Sequence, residues 1–228
     1  MDADSAKRRS VAHAWNLTPE EARGLQKTLA ERLILNDQLG PVQTVAGVDI
    51  GFPRGRGITR AAVVVLRLDD LSVVEQAVAE EPTRFPYVPG LLSFREVPAA
   101  LRALQRLSRP PDLLLCDGQG TAHPRRFGVA CHLGLLSDIP AIGVAKSRLL
   151  GEHAPLAREK GAWQPLRDKG ETIGAVLRSR AGVRPLYVSP GHRVSLETAL
   201  HYTSACLGRY RLPETTRVAD RLAGDRSA

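Results

Sequence analysis

TVAGVDIGFPRGRGITRAAVVVLRLDDLSVVEQAVAEE, residues 44–81, reads as three consecutive strands. TVAGVDIGF is strand-like, the turn-rich PRGRGITR leads into the apolar AAVVVLRL, and LSVVEQAVAEE supplies a third run. Links this short bring neighbouring strands back antiparallel. The stretch therefore predicts an antiparallel meander at the start of a sheet.

Downstream the pattern changes. Tyr87 in RFPYVPG stands between Pro86 and Pro89, so its loop is stiff. LLSFREVPAALRALQRL has helical periodicity, with Pro98 expected to kink or divide it. DLLLCD is a short apolar strand, followed by a helix from about Arg126 to Ser137 and a strand in PAIGVAK. Residues 151–170 read as irregular, ETIGAVLRS and PLYVSP as strands, and SLETALHYTSACLGRY and PETTRVADRLA as helices. Upstream, LTPEEARGLQKTLAERLIL is a helix capped by Thr18, with Pro19 in its first turn and Glu21 completing a capping box. Its residues Ala22, Leu25, Leu29 and Leu33 recur at helical spacing. Residues 1–15 are polar and expected to be loose; residues 16–228 form a single domain. The class is α/β: a mixed sheet, antiparallel meander first and parallel strands after, flanked by helices.

Composition narrows the function. Thirty-two Lys and Arg against 24 Asp and Glu give a net charge of +8, which favours a polyanionic partner. Nucleic acid ranks ahead of a membrane surface because no basic amphipathic helix stands out. No window approaches ~18 uninterrupted apolar residues, and the opening MDADSAKRRSVAHAW has no apolar segment, so neither a spanning helix nor a secretory signal is expected. Cys116, Cys131 and Cys206 show no CxxC spacing and read as buried free thiols of a reducing, cytoplasmic protein. A monomer is the default expectation, as no coiled-coil seam is present.

Four acids occupy unusual places. Asp49 interrupts the apolar AGVDIGF, where an unpaired charge is costly, and Asp117 ends the run LLLCD. Glu96 lies in the helical segment before that strand, and Asp220 lies on the last helix. If they converged, their repulsion would require a cation, and an all-oxygen set suits Mg²⁺ or Mn²⁺. Such ions, with a basic surface, would make a phosphodiester-cleaving centre. Taken alone, an aspartate in a strand more often pairs with an arginine or a backbone N–H and one on a helix is usually solvated, and spacing does not fix their convergence. A nucleotide-binding loop is excluded in IGVAKS, because Ala145 stands where glycine must precede Lys146.

AGVDIGF, FPYVPGLLSFRE, DGQGTAHPRRFGVACHLG, PAIGVAKSRLLG, PLYVSPGHRVS and RLPETTRVAD resemble, in order, the sequence blocks of the endonuclease V family. The resemblance runs from about residue 42 to 222, with PETTR departing from the commoner PEPTR. It implies a ribonuclease-H-like fold and a metal-dependent DNA repair endonuclease acting on deoxyinosine. Such an enzyme nicks the second phosphodiester bond 3′ to the lesion, leaving 3′-hydroxyl and 5′-phosphate ends, with Mg²⁺ or Mn²⁺. Inosine-containing RNA is the alternative substrate, and a nucleic-acid-binding homologue with a dead site is the alternative class.

The resemblance also assigns roles. Asp49 and Asp117 match metal-binding aspartates, Glu96 completes the catalytic site, and Asp220 falls where some members carry His and others Asp. Tyr87 matches a wedge that fills the base stack; by composition alone it could be a half-buried tyrosine. Gly90, Leu92, Gly118, Gly143 and Leu149 match the base pocket, while Gly120 equally suits a tight turn. His123 matches a histidine near the scissile phosphate, or is simply bonded to local backbone. Lys146 matches an active-site lysine that stabilises developing negative charge, or is a solvated strand end. Arg125, Arg126, His192 and Arg193 are candidates for DNA-phosphate contacts or for solubilising charge, with Gly191 and the following helix N-terminus as an anion site.

Overall fold

The computed structural model describes residues 11–224. Residues 1–10, most of the segment expected to be loose, lie outside the described residues. Residues 11–15 have no helix or strand, yet Val11 is buried and Trp15 stacks on His132, so this part is packed rather than loose. Its apolar and aromatic side chains gain more from burial than its backbone loses in freedom. Helix α1 (Pro19–Ala30) starts at the expected capping box, with the Glu21 N–H donating to Thr18 Oγ1 and the Thr18 N–H to the Glu21 carboxylate.

The meander forms as the sequence predicts: β1 (Thr44–Gly51), β2 (Ile58–Arg67) and β3 (Val73–Pro82) pair antiparallel. Helix α2 (Ser93–Leu104) is not divided at Pro98. Val97, Ala99, Ala100 and Ala103 are buried beneath it, and their burial outweighs one missing backbone bond. Then come β4 (Leu113–Cys116), α3 (Val129–Ser137) and β5 (Ala141–Ala145), with β4 parallel to both β1 and β5. Helix α3 starts later than expected because turns occupy the chain before it, Arg126 among them at φ 54°.

The span 151–170 is not wholly irregular. Trp163–Asp168 forms β6, an edge strand joined to β7 (Glu171–Leu177) through Lys169 and Gly170, both at positive φ. Two consecutive left-handed residues match the twist of a tight hairpin, and Pro165 is tolerated because an edge strand has a free side. After β8 (Leu186–His192) come α4 (Leu196–Ala205) and α5 (Glu214–Ala223). The sheet has eight strands in the order β3-β2-β1-β4-β5-β8-β7-β6. Parallel pairing is confined to β1, β4 and β5; β8, β7 and β6 add a second antiparallel group.

Alternation along the strands sorts the layers. Ala46, Val48, Leu114 and Cys116 pack with α2 and α3 on one face, while Val45, Leu113 and Leu115 pack with α4 on the other. Helix α5 covers β1 and β2 on that second face, with Ala219 against Val64 and Leu66. Gly47 permits this: a Cβ there would lie 2.0 Å from the Thr215 carbonyl oxygen. All three cysteines are free and buried. Among the described residues no helix is long and apolar enough to cross a membrane.

Candidate active site

Strand register brings the first two acids together. Val48 of β1 is level with Cys116 of β4 in a parallel pair, so Asp49 and Asp117 follow side by side, and the Asp117 N–H donates to the Val48 carbonyl at 2.9 Å. Asp49 continues the face of Val45 and Gly47, the face that α5 covers, and α5 delivers Asp220 to it. One oxygen from each of Asp49, Asp117 and Asp220 lies within 4.8 Å of the other two. Lys146, just past the end of β5, reaches Asp117 Oδ2 at 2.5 Å and Asp220 Oδ1 at 2.6 Å. Its backbone is held by Arg211, whose guanidinium donates to the Lys146 carbonyl at 2.5 Å.

Burial, and after it the crowding of like charges, sets the electrostatics. Burial, the hydrogen bond with Asp117 and the charge of Asp117 together push Asp49 well above the ordinary carboxylate range. Glu96 is raised to about 8, by burial first and then by the charge of Asp117. Burial works against the Lys146 charge, yet its bonds to Asp117 and Asp220 hold its pKa above that of an ordinary lysine. Three carboxylates on three elements, offering only oxygen, fit a hard divalent cation that would relieve this repulsion. Glu96 is not part of that trio: α2 carries it from the opposite face of the sheet.

A cavity of about 250 Å³ opens on that opposite side. It is lined by Gly90 and Leu92, Phe127 and Gly128, Glu96, Asp117 and Gly118, and the half-exposed Leu149. Asp117 thus belongs both to the cavity and to the carboxylate trio. Gly90 and Gly118 adopt φ values of +77° and +154°, suited to glycine. Gly143 does not line the cavity; a Cβ there would lie 2.2 Å from the Gly120 nitrogen, so it supports the 118–120 backbone from behind. Gly120 makes a close approach rather than only a turn, since its Cβ would meet the Pro190 carbonyl at 2.0 Å. Tyr87 is 70% exposed at the rim loop, so it is no packed tyrosine.

The other basic candidates are more committed than their sequence positions suggest. His123 is buried; its Nδ1 accepts the Arg125 N–H at 3.2 Å and its Nε2 contacts the Gly90 carbonyl at 3.0 Å. Burial, then neighbouring arginines, lowers its pKa to about 4, so it is a neutral ring, and it lines the cavity beside Gly90. Arg125 turns inward to Gln26 and Gly90, and Arg126 pairs with Asp168 and Glu171. His192 pairs in register with Ala141, the end of β5 opposite Lys146, and is buried; Arg193 is bound to Asp138. The expected anion site before α4 is filled by the chain's own Asp37, whose carboxylate accepts from the Ser195 N–H and hydroxyl and the Thr198 hydroxyl. The structure therefore does not bring His192, Arg193 or that helix N-terminus to the acidic cluster; intramolecular carboxylates have taken these partners.

Sequence reasoning missed Gln26, Ser93, Gln119, Ser147 and Arg148, which also line the cavity. Ser93, Gln119, Ser147 and Arg148 stand within the family blocks, whereas Gln26, outside them, carried a local signal: a polar residue on the buried stripe of α1, between Ala22 and Leu29.

A mixed sheet of this order, with carboxylates gathered where its parallel strands end, is that of a ribonuclease-H-like nuclease. The family model for endonuclease V matches residues 27–221, and the chain belongs to that family. Endonuclease V from Trichormus variabilis is 59% identical over 215 residues, covering 94% of this chain and 97% of that protein. The crystal structure of endonuclease V from Streptomyces avermitilis superposes with a TM-score of 0.88 at 45% identity, covering 94% and 95% of the two chains. The Ciona intestinalis enzyme was solved with a 24mer DNA containing an inosine followed by a ribo-adenosine; it gives a TM-score of 0.78 at 28% identity, over 90% of this chain and 95% of that one. The chain is a nuclease.

Proposed function

We propose that this nuclease is a metal-dependent DNA repair enzyme that nicks the second phosphodiester bond 3′ to a deoxyinosine, leaving 3′-hydroxyl and 5′-phosphate ends. The observation that carries the reading is Asp117, shared between a base-sized cavity and a carboxylate trio. The complex of the Ciona relative with inosine-containing DNA supports the same substrate class.

The residues divide the work. A base leaving the stack costs a few kcal/mol, which an aromatic side chain filling the gap offsets in part, and exposed Tyr87 between two prolines is placed to do so. The cavity takes the extruded base against the backbone of Gly90 and Gly118, where the absence of a side chain allows close approach to the base edge. Asp49, Asp117 and Asp220 would hold Mg²⁺ or Mn²⁺, and the bound ion would supply activation of water and neutralisation of charge on phosphate oxygens. Glu96, with its raised proton affinity, faces the cavity side of Asp117 as an acid–base group. Lys146 supplies a fixed positive charge beside the cluster, and the free cysteines suit a reducing, cytoplasmic setting for a monomer.

The test is nicking by the purified protein with Mg²⁺ on an end-labelled duplex carrying one deoxyinosine, beside an undamaged duplex and an inosine-containing RNA. A nick one nucleotide beyond the lesion on its 3′ side is expected, and its absence with chelator completes the reading. Because the Ciona complex carries a ribonucleotide after the inosine, cleavage of the RNA alone would move the substrate to RNA. Binding without any cleavage would leave a dead nuclease.

A further inference from the structure

We propose that Gln26 and Arg125 are positioning residues that set lesion selectivity by clamping the Gly90 wall of the cavity. The proposal rests on the reading that this cavity receives the base. The Gly90 carbonyl oxygen contacts Gln26 Nε2 at 3.1 Å, His123 Nε2 at 3.0 Å and an Arg125 guanidinium nitrogen at 2.6 Å. A carbonyl oxygen has two lone pairs, so three donors, one of them charged, hold it more firmly than a loop ordinarily needs. The glycine itself suits no other residue: it sits at φ +77°, and a Cβ would lie 2.8 Å from the Arg125 guanidinium.

Gln26 links two segments that line the cavity. It is 1% exposed, and its amide nitrogen donates both to the Gly90 carbonyl and, at 3.2 Å, to the carbonyl of Phe127, another residue lining the cavity. Its amide oxygen accepts from Arg125 Nε at 2.5 Å. Every polar atom is therefore engaged within the protein, and a flipped amide would set oxygen against two carbonyls and nitrogen against a guanidinium. Gln26 does not read the ligand; it fixes the distance between the surfaces that do. Backbone reading of a base edge needs donor–acceptor distances within a few tenths of an ångström, so the wall must not drift. The catalytic carboxylates and Lys146 touch neither Gln26 nor Arg125. Loosening the clamp should thus act on KM and selectivity and spare kcat.

Two variants test this. Gln26→Glu keeps the size of the side chain and a partner for Arg125 but removes both donors to the carbonyls. Arg125→Lys keeps the charge and loses the fork that reaches Gln26 and Gly90 together. With saturating Mg²⁺ and a deoxyinosine duplex, each should raise KM about tenfold or more, with kcat within about threefold. The preference for deoxyinosine over undamaged duplex should fall by a similar factor. Leu200→Ala, in the core beneath α4 on the far side of the sheet, should lower Tm while leaving KM and preference as they are. That control separates lost stability from a lost clamp, and Arg125→Lys decides the matter should Gln26→Glu not fold. Unchanged KM and preference in a folded variant overturn the proposal, as does a loss confined to kcat. A wild-type protein with no preference for deoxyinosine would instead overturn the reading of the cavity, and the clamp's role with it.

Discussion

Asp117 carries more than one task, because its carboxylate belongs to the acidic trio, lines the cavity and pairs with Lys146. Asp117→Asn keeps the shape and removes the charge that raises both Asp49 and Glu96. Cleavage should fall by about 10²–10³-fold or more, with binding of a deoxyinosine duplex retained in a gel-shift assay. Full activity in a folded variant would remove Asp117 from the centre. Tyr87 presents the contrasting case. At 70% exposure its truncation should leave stability within about 0.5 kcal/mol. Tyr87→Ala should nevertheless weaken binding of lesion DNA by about ten- to a hundredfold, the range of an aromatic–base stack. Equal affinity for wild-type and variant, by fluorescence anisotropy, would eliminate the wedge.

At the level of elements, the acidic cluster depends on how closely α5 approaches β1. Gly47 and Asp49 share a strand face, and the Thr215 carbonyl occupies the space a side chain at position 47 would need. Gly47→Ala should therefore lift α5 from the sheet and carry Asp220 away from Asp49. Overpacking of this kind costs about 1–3 kcal/mol, and Mn²⁺ affinity by calorimetry should fall together with Tm. A variant with lower Tm and unaltered Mn²⁺ affinity would show that Asp220 is not held by this contact. The hairpin of β6 and β7 has a comparable tie. Arg126 binds Asp168 and Glu171 at either end of its turn, joining the edge of the sheet to the segment that carries His123.

For the molecule as a whole, buried titratable groups of opposite sign set the pH range of stability. His123 and His192 are each lowered to about 4 by burial and then by nearby arginines, so their share of stability is intact above about 6.5 and is lost as pH falls toward 4. Glu96, raised to about 8, contributes in the other direction: its share is intact below about 4.5 and is lost as pH rises toward 8. In chelator, thermal unfolding should show greatest stability near about pH 6; Asp49, likewise raised to about 8, shares the alkaline loss, so Glu96→Gln should reduce the alkaline slope and leave the acid side as it is. A Glu96→Gln protein with the wild-type alkaline slope would contradict the burial of that proton. The charge of +8 acts at the same scale, favouring encounter with a polyanion at low salt.

Much of the fold was legible in the chain itself. Alternating and continuous apolar runs with turn residues between them marked the meander, the capping box at Thr18 and Glu21 marked α1, and LLLCD marked the strand that ends at Asp117. The β6 strand escaped because an edge strand buries little and so carries weak alternation; the Lys169–Gly170 turn was its only local trace. At the site, Asp49 and Asp117 announced themselves as charges interrupting or ending apolar strands, while Glu96 and Asp220, on helices, were marked by the family blocks alone. Local sequence determines such features because they reflect backbone preference and the period of burial, each set within a few residues. Which acids meet was decided by tertiary structure alone. Parallel register set Asp49 beside Asp117, the glycine at 47 brought α5 with Asp220, and the layer on the other face kept Glu96 apart. The fate of the basic residues was decided there too. Arg125, Arg126 and Arg193 look alike in a sequence, and only the fold places a carbonyl or a carboxylate within reach of each, because pair energies depend on distances between residues far apart along the chain.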